Sequence, residues 1–215
     1  MRKIPSTLKP ITPYIRRADE LEHAFFEKIR NKSEIEYNNN NDDEADRAMR
    51  GMTVAYFCHM HAISLGLKIE NISSADKSFL IKHLEYLEKL KFQIHKSYIQ
   101  NGKEICTEFA LEVFENVDEE DLNGFSNKET ARKFNAAANF LEALTQFGEL
   151  EISLQEKKKY AKVKAIEILK CLKEGREIEP GLPGRNDFLP IKNEAAQIED
   201  FSPNNDKIES KTDPI

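Results

Sequence analysis

Apolar residues recur along this chain at steps of three and four, the period of a helix with one buried face. Six such segments follow one another. The first carries Ile11, Tyr14, Ile15, Ala18, Leu21, Phe25 and Ile29. Thr12 followed by Pro13 predicts its start, a hydroxyl N-cap ahead of a proline whose φ suits the first turn. The second runs from about Glu44 to Leu65, with Met52, Ala55, Tyr56, His59 and Ile63 on one face and Gly66 placed to cap its end. The third opens at Ser73 with Asp76 three residues on, the spacing of a capping box. Its stripe is Phe79, Leu80, Leu84, Leu87, Leu90 and Ile94, and the helix is expected to continue past Tyr98 toward Asn101 and Gly102.

The fourth segment, from about Lys103 to Val117, carries Ile105, Cys106, Phe109, Ala110, Val113, Phe114 and Val117. The fifth begins at Ser126, with Glu129 completing a second box, and holds Phe134, Ala137, Ala138, Leu141, Leu144 and Phe147 before Gly148. The sixth begins at Ser153, with Glu156 completing a third box. It ends at Gly175, and the PGLPG at 180–184 forbids continuation. The pattern predicts an all-α chain of two consecutive three-helix bundles, residues 1–102 and 103–180. Each alone encloses a small core, so the two are expected to pack together. Residues 31–43, NKSEIEYNNNNDD, have nothing to bury and read as a flexible surface loop. Residues 181–215 are polar and aperiodic and read as a disordered tail.

Composition narrows the function. Charged residues make up 33% of the chain, and glycine and proline number only eight each, which suits helices with solvated faces. The net charge of −6 argues against nucleic-acid binding. Cys58, Cys106 and Cys171 are distant from one another in sequence and form no CxxC pair, as expected of buried, reduced thiols. MRKIPSTLKP lacks the apolar run of a signal peptide, and no stretch approaches the length of a membrane span. A cytoplasmic protein, peripheral to membranes through partners, is expected.

No phosphate loop, GxSxG or HExxH is present, so neither an enzyme nor a cofactor or metal site is expected. His59 and His61, two apart, point to different helix faces and cannot share a metal; His59 reads as a packed core histidine. The charge pattern is more telling. Between Glu104 and Asp121 every charged side chain is acidic, whereas Lys157 to Arg176 is dominated by bases. The plain reading is complementary charge on a solvated surface, worth little per pair. The sharper one is a groove with one acidic and one basic wall, suited to a charged amphipathic helix with apolar anchors. The apolar face of the basic helix (Tyr160, Val163, Ile166, Leu169, Leu172) has the spacing of a core stripe rather than of a lipid-facing one.

Six segments in order carry a family resemblance: ITPYIRRADELE, VAYFCHMHAISLGLKI, LEYLEKLK, FALEVFENVDEEDLNG, TARKFNAAANFLEALTQFGEL and KKYAKVKAIEILKCLKEGREIEPG. Together, over residues 4 to 181, they resemble the N-terminal domain of the Vta family, vacuolar-sorting regulators known in animals as LYST-interacting protein five. The resemblance implies two tandem MIT modules that bind helical tails of ESCRT-III subunits, and a non-enzymatic role in promoting the AAA ATPase that dismantles ESCRT-III during multivesicular-body sorting. Three departures stand out. Residues 31–50 lengthen a loop, Phe57 and Val163 stand where the family tends to carry Trp, and nothing after Pro190 resembles the family's ATPase-docking element.

The candidate contacts in the second unit are Lys158, Lys159, Tyr160, Lys162 and Lys164, with Glu108, Glu112 and Glu115 across the groove. In the first they are Tyr14, Arg17, Leu21, Leu87 and Lys91. The alternative is a helical scaffold of tetratricopeptide type binding an unrelated peptide, although no 34-residue period is visible.

Overall fold

A computed structural model describes residues 4–32 and 41–181. The expected loop lies outside these residues except at its ends, where helices extend into it, and the expected tail lies outside them beyond Gly181. A 3-10 segment, Ser6–Ile11, leads into α1 (Thr12–Lys32). Then follow α2 (Asn41–Leu67), α3 (Ser74–Lys91), a short α4 (Lys96–Gln100), α5 (Gly102–Leu122), α6 (Lys128–Ala143) and α7 (Ile152–Glu174), with a 3-10 turn, Leu144–Phe147, after α6. No strand occurs among the described residues.

Local chemistry sets the boundaries. The Asp76 amide donates to the Ser73 hydroxyl at 3.1 Å, and the Ser73 amide donates to the Asp76 carboxylate at 2.7 Å, the capping box that the spacing predicts. Thr7 donates a further hydrogen bond to Asp76, and these bonds hold its carboxyl below the ordinary range. Gly175 ends α7 in the left-handed region, at φ 65°.

Other expectations shift. Thr12 is itself helical, because the 3-10 segment runs straight into α1. The α6 cap is Asn127, whose side chain accepts from Glu129 and Thr130, while Ser126 turns back to bond Asp121. Ser153 lies inside the first turn of α7, since that helix starts after Glu151 without a side-chain cap. The third helix stops at Lys91; His95 then caps a new start by accepting from the Ser97 amide. Gly66 is not a cap. It lies within α2, where an added Cβ would stand 2.7 Å from Leu80 Cδ2, so its bare backbone lets α3 close onto α2.

The helices form two layers. In one, α2 is flanked by α1 and α3; in the other, α6 is flanked by α5 and α7. The layers meet where α2 lies on α5 and α1 on α6. One apolar cluster runs through both, from Ala18, Met52 and Ile63 to Phe134, Leu141 and Ile168. A smaller one joins Leu8, Ile11, Ile15, Ala62 and Leu80 at the N-terminal end. Cys58, Cys106 and Cys171 are buried free thiols, and burial pushes Cys58 up to about 12.

The contact between layers is tight at Gly102, where α5 begins. A Cβ there would fall 2.0 Å from Cε2 of Phe57, a buried ring packed on Tyr56 and Phe147. Gly102→Ala therefore has to displace a core aromatic, and is expected to lower stability by about 1–3 kcal/mol, the usual scale of overpacking. Urea unfolding measures this. An unchanged midpoint would mean that the layers are not pressed together at this point.

Candidate partner-binding surfaces

The lysine-rich helix distributes its charges over three sides. Lys158 and Lys162 reach α6, where both meet Glu142, at 3.2 and 2.9 Å. Burial pushes the Glu142 carboxyl up, but the hydrogen bond from Lys162 and the charges of both lysines overcome this and leave it below its ordinary value. Lys159 is exposed. Lys157 instead lies over the Phe114 ring of α5, 4.6 Å from its centroid. Tyr160 is half-buried between Phe114 and Phe134, and burial and its bond to Asp118 raise its pKa. It belongs to the packing between helices.

Lys164 departs furthest from expectation, because it is fully buried. Its ammonium lies 3.2 Å from the carboxylate of Asp121, itself fully buried, and 3.4 Å from Glu167, and donates to the Glu179 carbonyl at 2.5 Å. It is not available to a partner.

The expected groove with opposed charges does not form. Both α5 and α7 pack chiefly on α6, and a cleft of 560 Å³ opens between α5 and the start of α7. Leu111, Leu144, Phe147, Leu150 and Leu154 give it apolar walls. Its rim is acidic on both sides, with Glu104, Glu108 and Glu115 facing Glu149 and Glu151, and only Lys103 and Lys157 opposing them. Of the lysines expected on the α7 wall, Lys158 and Lys162 turn toward α6 and Lys164 inward, while Lys159 is exposed. Glu108 also pairs with Arg50 of α2, and Glu112 is exposed.

In the first layer, Leu87 is buried in the main cluster, Leu21 packs partly against it, and Lys91 is exposed. Arg17 is half-buried on Glu20 at 2.7 Å, and burial lowers its pKa. Tyr14 meets the His61 ring edge-on, with centroids 4.5 Å apart. His59 is fully buried at the junction of three helices. Its Nε2 is 2.8 Å from Glu22 of α1, and its Nδ1 is 2.9 Å from His83 Nε2 of α3; Tyr86 donates to the other Glu22 oxygen. Asp19, Glu22 and His59 bring ligand-capable atoms within 4.8 Å of one another.

The sequence stripe placed Leu84 inside and passed over Ile81. Both are exposed, by 38% and 56%, because α3 seats Leu80, His83, Leu87 and Leu90 instead. A polar residue at 83 on the inward face was the available signal.

Comparison with known proteins places this geometry in context. The family described as "Vta1 like" matches residues 40–174. A protein of Arabidopsis thaliana described as a homolog of mammalian LYST-interacting protein 5 is 38% identical over 136 residues, 62% of this chain and 32% of that protein. The human vacuolar protein sorting-associated protein VTA1 homolog is 33% identical over 139 residues, 63% of this chain and 45% of its own length. That of Dictyostelium discoideum is 26% identical over 180 residues, 81% of this chain and 28% of its own length. The chain thus matches less than half the length of each of these relatives.

Both buried partners, Asp121 and Lys164, fall inside the matched stretch. Lys164→Met leaves a carboxylate buried without its cation and is expected to cost about 3–5 kcal/mol in urea unfolding. Adding Asp121→Asn removes the stranded charge and should recover part of that loss. A single substitution as mild as the double would show that the pair is not desolvated. Acid tests Glu142 separately. Its folded pKa is depressed, so its contribution is fully present above its ordinary value of 4.5 and is lost as pH falls through the lower folded value. Glu142→Gln should flatten that part of the stability curve.

Proposed function

The chain belongs to the Vta1-like family, and on that premise we propose that it is a non-enzymatic adaptor in vacuolar and endosomal protein sorting that binds helical tails of ESCRT-III subunits. The observation that supports this best is the outer face of α3. Lys77, Ile81, Leu84, Glu88 and Lys91 are all exposed and share one helical stripe, with apolar residues at its centre and a lysine at each end. The bundle's core does not need Ile81 or Leu84, so they can serve as anchors for an amphipathic partner helix. The flanking lysines suit an acidic one.

A second surface of the same chemistry lies along α7, where Lys158 and Lys162 lead to half-buried Ile166 and Leu169. Acidic tails fit this side rather than the cleft between α5 and α7, whose rim would repel them. Among the described residues, no helix is long and apolar enough to cross a membrane. Association with endosomal membranes through the bound partners is part of the proposal. Regulation of the AAA ATPase that disassembles ESCRT-III belongs to it too, supported by the family alone.

Fluorescence anisotropy with labelled ESCRT-III tail peptides tests the reading. Ile81→Ser/Leu84→Ser should weaken tails that use α3 by about tenfold to a hundredfold, the effect of losing central anchors. Lys159→Glu/Lys162→Glu should do the same for tails that use α7; the α3 change should leave the melting temperature nearly unchanged, whereas Lys162→Glu also removes a partner of Glu142 and should lower it modestly, so binding is compared where both variants are folded. If the folded wild-type chain binds no tail, the reading fails.

A further inference from the structure

The junction of α1, α2 and α3 holds a group of side chains that the proposed tail-binding faces leave unused. Asp19 and Glu22 stand three apart on α1 and so share a face, where His59 of α2 meets them. A carboxylate oxygen of each and one ring nitrogen of His59 all lie within 4.8 Å of one another. The imidazole is fully buried, Glu22 is nearly so, and Asp19 is half-buried. Both ring nitrogens of His59 already have partners, Nε2 in Glu22 at 2.8 Å and Nδ1 in His83 at 2.9 Å. Asp19 thus brings a second carboxylate to a point where one satisfies the imidazole. Like charges this close disfavour each other, and a divalent cation between them offsets both.

We propose that Asp19, Glu22 and His59 form a binding site for a zinc-class divalent ion, which staples α1 to α2. Donor set, distances and outer shell support the assignment. One imidazole and two carboxylates are zinc ligands, and three protein ligands leave a fourth position for water. The imidazole disfavours magnesium and calcium, which take oxygen ligands. Zinc holds nitrogen and oxygen at about 2.0–2.2 Å, so tetrahedral neighbours stand about 3.3–3.5 Å apart. The Nε2–Glu22 pair, now at 2.8 Å, has to open by only about 0.5 Å to admit the ion. Asp19, the most exposed of the three, gives the ion and its water a way in. The outer shell comes from α3: Tyr86 donates to the other Glu22 oxygen, and His83 holds the far nitrogen of His59, as a metal-bound histidine requires. Glu22 and His59 are 37 residues apart on different helices, so no sequence spacing announces the site.

Calorimetric titration of the full chain, stripped with a chelator, with zinc chloride is expected to show one site per chain. Zinc should also raise the melting temperature, increasingly so with its concentration. Asp19→Asn keeps the shape of the side chain and removes a ligand charge; it should weaken binding by more than about tenfold. Tyr86→Phe removes only the outer-shell bond to Glu22 and should weaken binding by about tenfold. His23→Gln/His95→Asn changes two exposed histidines, with asparagine still able to cap α4, and should leave binding unchanged. Circular dichroism without zinc checks that each variant is folded; should Asp19→Asn fail to fold, Tyr86→Phe decides in its place. Three results would overturn the proposal: no zinc bound by the folded wild-type chain, binding that survives the deciding variant at full strength, or binding lost with the exposed histidines.

Discussion

The second layer depends on one buried charge being paired with an equally buried carboxylate. An ammonium removed from water costs several kcal/mol unless each of its donors finds a partner. Lys164 donates to the Glu179 carbonyl and lies within ion-pair distance of Asp121 and Glu167. Asp121 is equally occupied, accepting from Ser126 in the α5–α6 turn and from the amide of Gly181. One ion pair therefore fixes the end of α5, the turn into α6, the rotation of α7 and the path of residues 176–181 after it. Moving any of these leaves a charge buried without a partner.

The first layer uses the same device with different groups. Glu22, His59, His83 and Tyr86 join α1, α2 and α3 through bonds that are directional and buried. One ring nitrogen of His59 pairs with Glu22 and the other with His83, so each helix contributes one link. The apolar cluster shared by both layers has no such directionality; it would tolerate small rotations of any helix. Registration thus comes from the polar networks, and cohesion from the common core and from the close approach of Gly102 to Phe57.

Periodicity read the helices well because a buried stripe repeats whatever it packs against. It could not say which neighbour each side of a helix meets, and the misplaced candidates all follow from this. Lys164 reads as one more base in a basic helix, although it interrupts a run of buried Ala161, Ala165, Ile168 and Cys171 and so already lay on the inward face. Leu87 and Tyr160 were correctly read as helical-face residues, but their faces are internal. The caps show a similar ambiguity. Ser126 and Asn127 are both competent N-caps, and the choice falls to Asn127 because Ser126 is drawn to Asp121, a partner five residues away that no local pattern reveals. Residue types on the surface were legible; the facing of α5 against α7 was not, since it depends on how both pack on α6.

That arrangement separates charges in a way net charge conceals. One side of α7 presents Lys158 and Lys162 against a single carboxylate, while the other borders a cleft dominated by glutamates. An acidic helix and a neutral or basic extended segment would therefore be sorted to opposite sides of the same helix, without competing for space. Any influence of one on the other has to pass through α7 itself. A slight rotation of α7 that improves the lysine face also moves Lys164, and with it the Glu179 carbonyl that Lys164 holds. Linkage makes such coupling reciprocal: a tail on the lysine side that loosened residues 176–181 would be weakened, by the same factor, by whatever holds them in place. The buried ion pair sets the scale, because a rotation that separates Lys164 from Asp121 costs more than surface contacts of about 1 kcal/mol each can supply. Coupling of that kind is confined to displacements small enough to keep the pair intact, or to a partner large enough to break it.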